Sequence, residues 1–215
     1  TTGTDGTATT VPLYLGKYSV KEITAPYGMV LNAEPVEVKL AYAGETVKVT
    51  ATSTSFINER QTVVVDLSKA LEKDEIFNIG NSDEITRVKF ALYASEDMTA
   101  VDGSIIPKNA LIEIATCDQD GKITFATDLP VGAKVYVKEY ATDSHYILSD
   151  KVYEITFVYE GQDVDTVRKS IHDGNALVNE MIRGSVVGKK LDEDGFAICG
   201  ALFGLFTENE TEFTK

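Results

Sequence analysis

Two asparagine–lysine pairs occur at the same spacing along the chain. Asn58 is followed eleven positions later by Lys69, and Asn179 is followed eleven positions later by Lys190. A lysine amine moved from water into an apolar core loses its preference for the charged form, so its pKa falls and the neutral amine becomes a nucleophile. Taken singly, a lysine beside a strand is usually solvated and an asparagine is usually a turn former. The chemistry therefore depends on whether the fold buries these groups together.

Other residues with reactive side chains form no recognised catalytic pattern. The sequence has no Gly-x-Ser-x-Gly, zinc or phosphate-loop motif. Asp192–Gly195 lacks the remaining ligand spacing of a calcium loop and is interpreted as a turn. His145 and His172 are isolated and are expected at the surface. Cys117 and Cys199 lie in apolar, strand-like stretches, which predicts small buried thiols rather than a disulfide framework.

Composition limits the partners and the cellular location. The 215 residues carry a formal net charge of -14 and have a pI near 4.5. Such a charge repels nucleic acid and anionic membrane surfaces and suits a soluble protein displayed outside a cell. Apolar runs are too short to span a bilayer, and no signal peptide is visible at Thr1. We therefore expect no nucleic-acid partner, no membrane insertion in this segment, no metal and no cofactor.

The elements that must position these residues are mainly strands. Alternating apolar and polar residues dominate, with β-branched and aromatic side chains between Gly and Asp turns. A single helical turn is predicted at Ser68–Asp74, and Asp163–Met181 is left open between helix and strand. Short strands at this spacing indicate an all-β sandwich. The predicted strands are Tyr18–Lys21, Val36–Leu40, Val47–Thr50, Lys134–Lys138 and Tyr153–Phe157, and the predicted turns are Asp102-Gly103, Asp120-Gly121 and Asp194-Gly195.

The chain also resembles itself at a domain-sized period. From Lys69 to Lys190 is 121 residues, an ordinary domain length. We interpret the chain as the C-terminal part of one repeat (1–59), one complete repeat (60–183) and the N-terminal part of a third (184–215). The matching segments are Val63-Val64 with Val186-Val187, Leu15–Glu22 with Val131–Glu139, and Phe90–Tyr93 with Phe203–Phe206.

Two stretches resemble a known family. Gly16–Gly28 has the order Gly-x-Tyr-x-Val-x-Glu followed by Ala-Pro-x-Gly, and Lys190–Leu205 has a lysine, an acidic turn and Gly-Ala-x-Phe-x-Leu. They resemble the B-type (Cna-B) repeat of collagen-binding adhesins, also called the prealbumin-like domain of Gram-positive pilins. The resemblance implies tandem immunoglobulin-like sandwiches of reverse topology. The central repeat departs from the pattern at Tyr140–Asp143, where the Ala-Pro turn would be, and around Phe77–Glu84, where residues are added.

The resemblance implies a covalent bond within each repeat. In this family a lysine on the first strand and an asparagine on the last strand form an amide with loss of ammonia, promoted by a glutamate between them. By position, Lys69, Asn179 and Glu139 would do so in the central repeat. A buried carboxylic acid that stays protonated could hydrogen-bond the asparagine carbonyl and relay protons. Lys189 neighbours Lys190, but the spacing favours Lys190 as the reactive lysine of the next repeat.

The two partial repeats are complementary. The first contains Glu22 and Asn58, and the last contains Lys190. We therefore expect residues 184–215 of one molecule to complete residues 1–59 of another, head to tail, which would make a bond among these three residues intermolecular. Closure within one molecule and a boundary cut through a longer chain are the alternatives.

The expected function is a passive structural stalk of a cell-wall adhesin or pilin, not an enzyme, with neighbouring repeats or pilin subunits as partners. The first alternative is an adhesin module in which loops such as Phe77–Asp83 or Ala141–Tyr146 bind a host protein or glycan. The second is an accessory sandwich of a secreted carbohydrate-active enzyme. Ile106–Asn109 resembles the end of the sortase-linked pilin motif, but it lacks the upstream pattern and falls in an expected loop.

Overall fold

The computed structural model describes residues 1–100 and 102–206, so residues 207–215 of the third predicted segment lie outside the described part. The chain divides into two units, residues 1–181 and 182–215. The first unit contains all the named strands of the described residues: β1 (Gly16–Val20), β2 (Val36–Leu40), β3 (Thr62–Leu71), β4 (Lys89–Ala94), β5 (Met98–Thr99), β6 (Ile105–Ile106), β7 (Leu111–Thr116), β8 (Lys122–Phe125), β9 (Lys134–Ala141), β10 (Val152–Thr156), β11 (Thr166–Ser170) and β12 (Ala176–Asn179). Two 3₁₀ turns cover Glu84–Arg87 and Ile171–Gly174.

Two four-stranded sheets enclose the main core. One has the order β10-β9-β4-β7 and is antiparallel. In the other, β3 pairs in parallel with β11 and then with β12, and antiparallel with β8. Alternate residues of β3 are buried, as are Val135 and Val137 of β9, so the apolar side chains of both sheets meet in one cluster with Phe90 and Leu92. This arrangement confirms the predicted all-β class.

The N-terminal segment forms a hairpin that connects to the central sandwich. β1 and β2 pair antiparallel, with Tyr18 opposite Val38. A bridge between Met29 and Arg60 and a hydrogen bond from Leu31 N to Gln162 O at 2.8 Å join the segment to the sandwich. Residues 1–59 therefore lie in the same compact unit as the complete sandwich.

Gln61 begins the central sandwich and is almost fully buried. Its side-chain amide donates to the carbonyls of Gly161 and Val164, at 3.0 and 2.7 Å, and its Oε1 accepts from the Glu160 N–H at 2.9 Å. One side chain thus contacts three backbone groups beneath the entry to β3 and is the partner shown for two of them, Val164 O and Glu160 N, whereas Gly161 O also accepts from Val164 N at 3.4 Å.

The structure corrects two local predictions and resolves a third. Ser68–Leu71 belongs to β3 and not to a helical turn, because alternate burial against the core overrides a weak helical preference. Val47–Thr50 forms no strand, since no neighbouring strand pairs with it. Within Asp163–Met181, which the sequence left open, two strands flank a 3₁₀ turn.

Candidate functional site

Three polar side chains occupy positions that the alternation of their strands reserves for apolar residues. Lys69 continues the buried row of β3, Glu139 continues the buried row of β9, and Asn179 follows Leu177 on the buried face of β12. The side chains of Lys69 and Glu139 are 1% and 0% exposed, and Asn179 is 2% exposed. Strand periodicity therefore directs an amine, a carboxyl group and a carboxamide into the same buried interior.

The register of the strands brings these three groups into contact. Lys69 is the β3 partner of Leu177, so Asn179 lies two residues further along the same face of the adjacent strand. Lys69 Nζ donates to Asn179 Oδ1 at 2.5 Å. Asn179 Nδ2 donates to Glu139 Oε1 at 2.8 Å, and the same oxygen lies 3.5 Å from Lys69 Nζ. One carboxyl oxygen thus contacts both the amine and the amide nitrogen.

The orientation of the carboxamide differs from the sequence-based expectation. Glu139 faces the amide nitrogen of Asn179, whereas a hydrogen bond to the amide carbonyl was expected. The reason is the polarity of the neighbours: an ammonium group only donates and a carboxylate only accepts, so the carbonyl turns toward Lys69 and the N–H groups turn toward Glu139.

The surroundings make the Lys69 ammonium group easier to deprotonate. Burial lowers the pKa of the Lys69 amine from its usual 10.5, and the charge and hydrogen bond of Glu139 oppose this only in part. Cys117 lies close enough to interact electrostatically with Lys69, and burial raises the pKa of its thiol to about 12. The thiol therefore stays protonated and acts as apolar filling beside the amine.

Two further residues fix the groups of the site, and the sequence analysis did not identify them. The backbone N–H of Ser149 donates to Glu139 Oε2 at 2.7 Å, and Thr142 Oγ1 accepts a hydrogen bond from Asn179 Nδ2 at 3.1 Å. Thr142 lies in the stretch that departs from the family pattern, and this departure was the available signal. Nothing in the sequence around Ser149 indicated a contact made through its backbone.

Gly121 allows the turn before β8 to lie against the strand that carries the lysine. Lys69 N donates to Gly121 O at 2.7 Å, and a Cβ atom at position 121 would lie 2.1 Å from the Lys69 carbonyl oxygen. Its φ of +72° is also a conformation that favours glycine. The predicted Asp120-Gly121 turn therefore supports the backbone of the site directly.

Glu22 and Asn58 form a contact like that in the central sandwich. Asn58 Nδ2 donates to Glu22 Oε2 at 2.7 Å, and Glu22 Oε2 also accepts from Asn32 N at 2.9 Å. Both side chains are half-buried. Lys190 belongs to the second unit, where its carbonyl accepts from Ile198 N at 3.1 Å. The carboxyl–carboxamide pair is thus formed within residues 1–59.

One prediction about the remaining reactive residues was wrong, and another was confirmed only in part. Cys199 is exposed and only Cys117 is buried, because residues 182–206 contain no named strand that could pack over the thiol. His145 is exposed but not isolated, since its Nδ1 lies 2.6 Å from Asp143 Oδ1.

Among the described residues, no helix is long and apolar enough to cross a membrane. The same part of the chain holds no group of three or more His, Cys, Asp or Glu side chains that could bind a metal ion.

Comparison with known proteins identifies the family. The sequence model of the SpaA prealbumin-like fold domain matches residues 1–55 and 77–171. The chain therefore belongs to this family, which confirms the resemblance to prealbumin-like domains. The matched ranges include Glu22 and Glu139 but not Lys69 or Asn179, so the roles of the last two depend on the geometry described above.

Solved structures to which the chain is similar include the Bacillus anthracis TIE protein, at 19% identity and a TM-score of 0.49, covering 92% of this chain and 34% of that one. A C-terminal fragment of the pilus adhesin SpaC from Lactobacillus rhamnosus GG has 13% identity and a TM-score of 0.40, with 81% and 80% coverage. The minor pilin GBS52 of Streptococcus agalactiae has 16% identity and a TM-score of 0.36, with 88% and 70% coverage. The chain spans about a third of the TIE protein, and no curated protein matches it.

Proposed function

We propose that this chain is a structural segment of a Gram-positive surface shaft, a pilin or adhesin stalk outside the cell wall, in which Lys69 and Asn179 become joined by an isopeptide bond. Membership of the prealbumin-like family supports the setting. One observation carries the chemistry: Glu139 Oε1 lies 3.5 Å from the amine that would attack and 2.8 Å from the nitrogen that would leave, inside the buried core.

The reaction follows from these contacts. The Lys69 ammonium group passes a proton to Glu139, and the resulting neutral amine attacks Cγ of Asn179, which the short Nζ–Oδ1 contact places next to it. Glu139 then returns the proton to Nδ2 as the Cγ–Nδ2 bond breaks. A Cγ–Nζ amide bond forms, ammonia leaves and takes up the remaining proton from the former ammonium group, and no electrons are exchanged.

The position of the bond explains its use in a shaft. Tension that enters the central sandwich at β3 and leaves at β12 would pull the two parallel strands past each other. A covalent link between Lys69 and Asn179 carries that load directly from one strand to the other. The residues between them, 70–178, are then removed from the path of the force.

Intact mass of the purified protein tests this proposal. We expect a mass lower than that of the sequence by one ammonia for each bond formed. Lys69→Ala and Asn179→Ala should each prevent the loss of the ammonia that the Lys69–Asn179 bond releases. Lys138 is an exposed lysine beside Glu139, and Lys138→Ala should leave that loss unchanged. If the protein without substitutions has the full mass calculated from its sequence, the bond is refuted.

We also propose that Glu22 and Asn58 accept a lysine from a second copy of the chain, with Lys190 as the amine. The preformed contact between Asn58 and Glu22 supports this, because it matches the contact between Asn179 and Glu139. Residues 184–215 of one molecule would then complete residues 1–59 of the next. A ladder of bands on a denaturing gel under reducing conditions, lost in Lys190→Ala but kept in Lys189→Ala, is the expected result. Bands of monomer size alone would overturn head-to-tail cross-linking without affecting the central bond.

A further inference from the structure

We propose that Thr142 is a positioning residue for the Lys69–Asn179 reaction, holding the carboxamide with its nitrogen toward Glu139; this inference rests on the proposed function. Asn179 Nδ2 has two hydrogens, and the site offers two acceptors for them. Glu139 Oε1 accepts at 2.8 Å and Thr142 Oγ1 accepts at 3.1 Å. Both N–H groups of a fully enclosed amide are therefore satisfied.

Before proton transfer, charge alone fixes the amide. The Lys69 ammonium attracts the carbonyl oxygen and the Glu139 carboxylate attracts the N–H groups. Once the proton has moved to Glu139, the neutral amine can accept a hydrogen bond and the carboxylic acid can donate one. The flipped carboxamide, with its nitrogen toward Lys69, would then satisfy these two neighbours equally well. Charge then no longer distinguishes the two orientations of the Asn179 carboxamide, although Glu139 must still protonate its nitrogen.

Thr142 restores the preference through its hydroxyl oxygen. In the productive orientation both N–H groups of Asn179 have acceptors. In the flipped orientation Thr142 Oγ1 faces the carbonyl oxygen of Asn179 instead, so the acceptor that it gives the second N–H group is lost. A buried unsatisfied donor costs free energy, so the hydroxyl favours the orientation in which Glu139 can protonate the leaving nitrogen.

The loop around Thr142 is anchored, so that the hydroxyl is held in place. The next residue, Asp143, has a side chain only 2% exposed. It accepts hydrogen bonds from Arg87 Nη1 at 2.6 Å and from the backbone N–H of His145 at 3.0 Å. These bonds fix the backbone immediately after Thr142, where the chain leaves β9.

The contact in residues 1–59 gives independent support. Alanine stands at the corresponding position, Ala25, which is as far after Glu22 as Thr142 is after Glu139. There the second N–H group of Asn58 donates instead to the Val30 carbonyl at 2.9 Å. Both sites thus supply a second acceptor for the asparagine nitrogen, one from a side chain and one from the backbone.

The test compares rates of ammonia loss. Chains recovered unfolded from inclusion bodies are refolded by dilution and quenched in acid at intervals, and their intact masses give the reacted fraction. We expect Thr142→Val, which keeps the shape and removes the hydroxyl, to react at least about tenfold more slowly than the unmodified protein. Thr142→Ser keeps the hydroxyl and should react within about threefold of it. Thr142→Ala takes the place of the valine variant if the latter does not fold.

The outcomes separate this inference from the proposed function. If the unmodified protein loses ammonia and Thr142→Val does so at the same rate, Thr142 has no positioning role although the bond forms. Equal slowing in the valine and serine variants would also overturn the role of the hydroxyl. If the unmodified protein never loses ammonia, the bond itself is refuted. In the unreactive Glu139→Gln background, Thr142→Val should melt only a few degrees below Thr142→Ser because one amide N–H group loses its acceptor, and a valine variant that is not folded at the refolding temperature would show a merely structural effect.

Discussion

Replacing Lys69 with methionine should lower the thermal stability of the central sandwich strongly. Methionine fills most of the space of the lysine side chain with apolar atoms but cannot form the amide. The bond would close a loop spanning 110 residues. By the chain-entropy relation for cross-links, closing a loop of this length contributes about 4.7 kcal/mol to the free energy of unfolding.

This free energy converts to a large shift in melting temperature. The melting temperature of a domain of this size falls by about 4 °C for each kcal/mol lost from the free energy of unfolding. Lys69→Met should therefore melt about 15–20 °C below the protein without substitutions. Scanning calorimetry measures the shift, and intact mass confirms that the variant has kept its ammonia. Lys138→Met, at an exposed position of β9, is the matched control and should melt within about 3 °C. A drop of less than about 5 °C in a folded, unreacted Lys69→Met protein would refute the cross-link argument.

Three other predictions concern the surroundings of the site. In unreacted Glu139→Gln, the folded chain releases the Lys69 proton at a lower pH than the unfolded chain does, because burial lowers the pKa of this amine from 10.5. The free energy of unfolding from urea titrations should therefore rise with pH toward 10.5, by at most about 1.4 kcal/mol per pH unit, and pH-independent stability would contradict a buried free amine. Iodoacetamide at pH 8 should label exposed Cys199 in the native protein and label Cys117, whose thiol is buried with a pKa raised to about 12, only after unfolding; native labelling of Cys117, read by peptide mass, would contradict its burial. Gln61→Leu should lower the free energy of unfolding by about 2–4 kcal/mol in urea because it leaves the Val164 carbonyl and the Glu160 N–H group unpaired, and a change below about 0.5 kcal/mol would show that water replaces the lost hydrogen bonds.

The sequence predicted several strands from their alternating residues, although it missed β3, in which burial alternates over the greatest length. Val36–Leu40 agrees with β2, and Lys134–Lys138 lies within β9. The strand predicted at Val47–Thr50 was wrong because alternation alone cannot show whether a neighbouring strand exists to pair with it. The helical turn predicted at Ser68–Asp74 was wrong because a local preference yielded to the burial of β3.

The candidate site was predicted as a set of residues but not as a geometry. The repeated spacing selected Lys69 and Asn179, and the structure brings their side chains into contact. The parallel pairing of β3 with β12 joins positions more than 100 residues apart, which no local pattern encodes. The roles of Thr142 and the Ser149 backbone depend on loop conformation, and therefore required coordinates.

The amide bond between the side chains of Lys69 and Asn179 can be identified by sequencing the peptides that it joins. Protease digestion of the purified protein followed by tandem mass spectrometry should yield a branched peptide in which the Lys69 side chain is joined to the Asn179 side chain, one ammonia lighter than the two separate peptides. We expect this branched species to replace both linear peptides in the protein without substitutions and to be absent from Lys69→Met. Recovery of the two linear peptides, each at full mass, from the folded unmodified protein would contradict it.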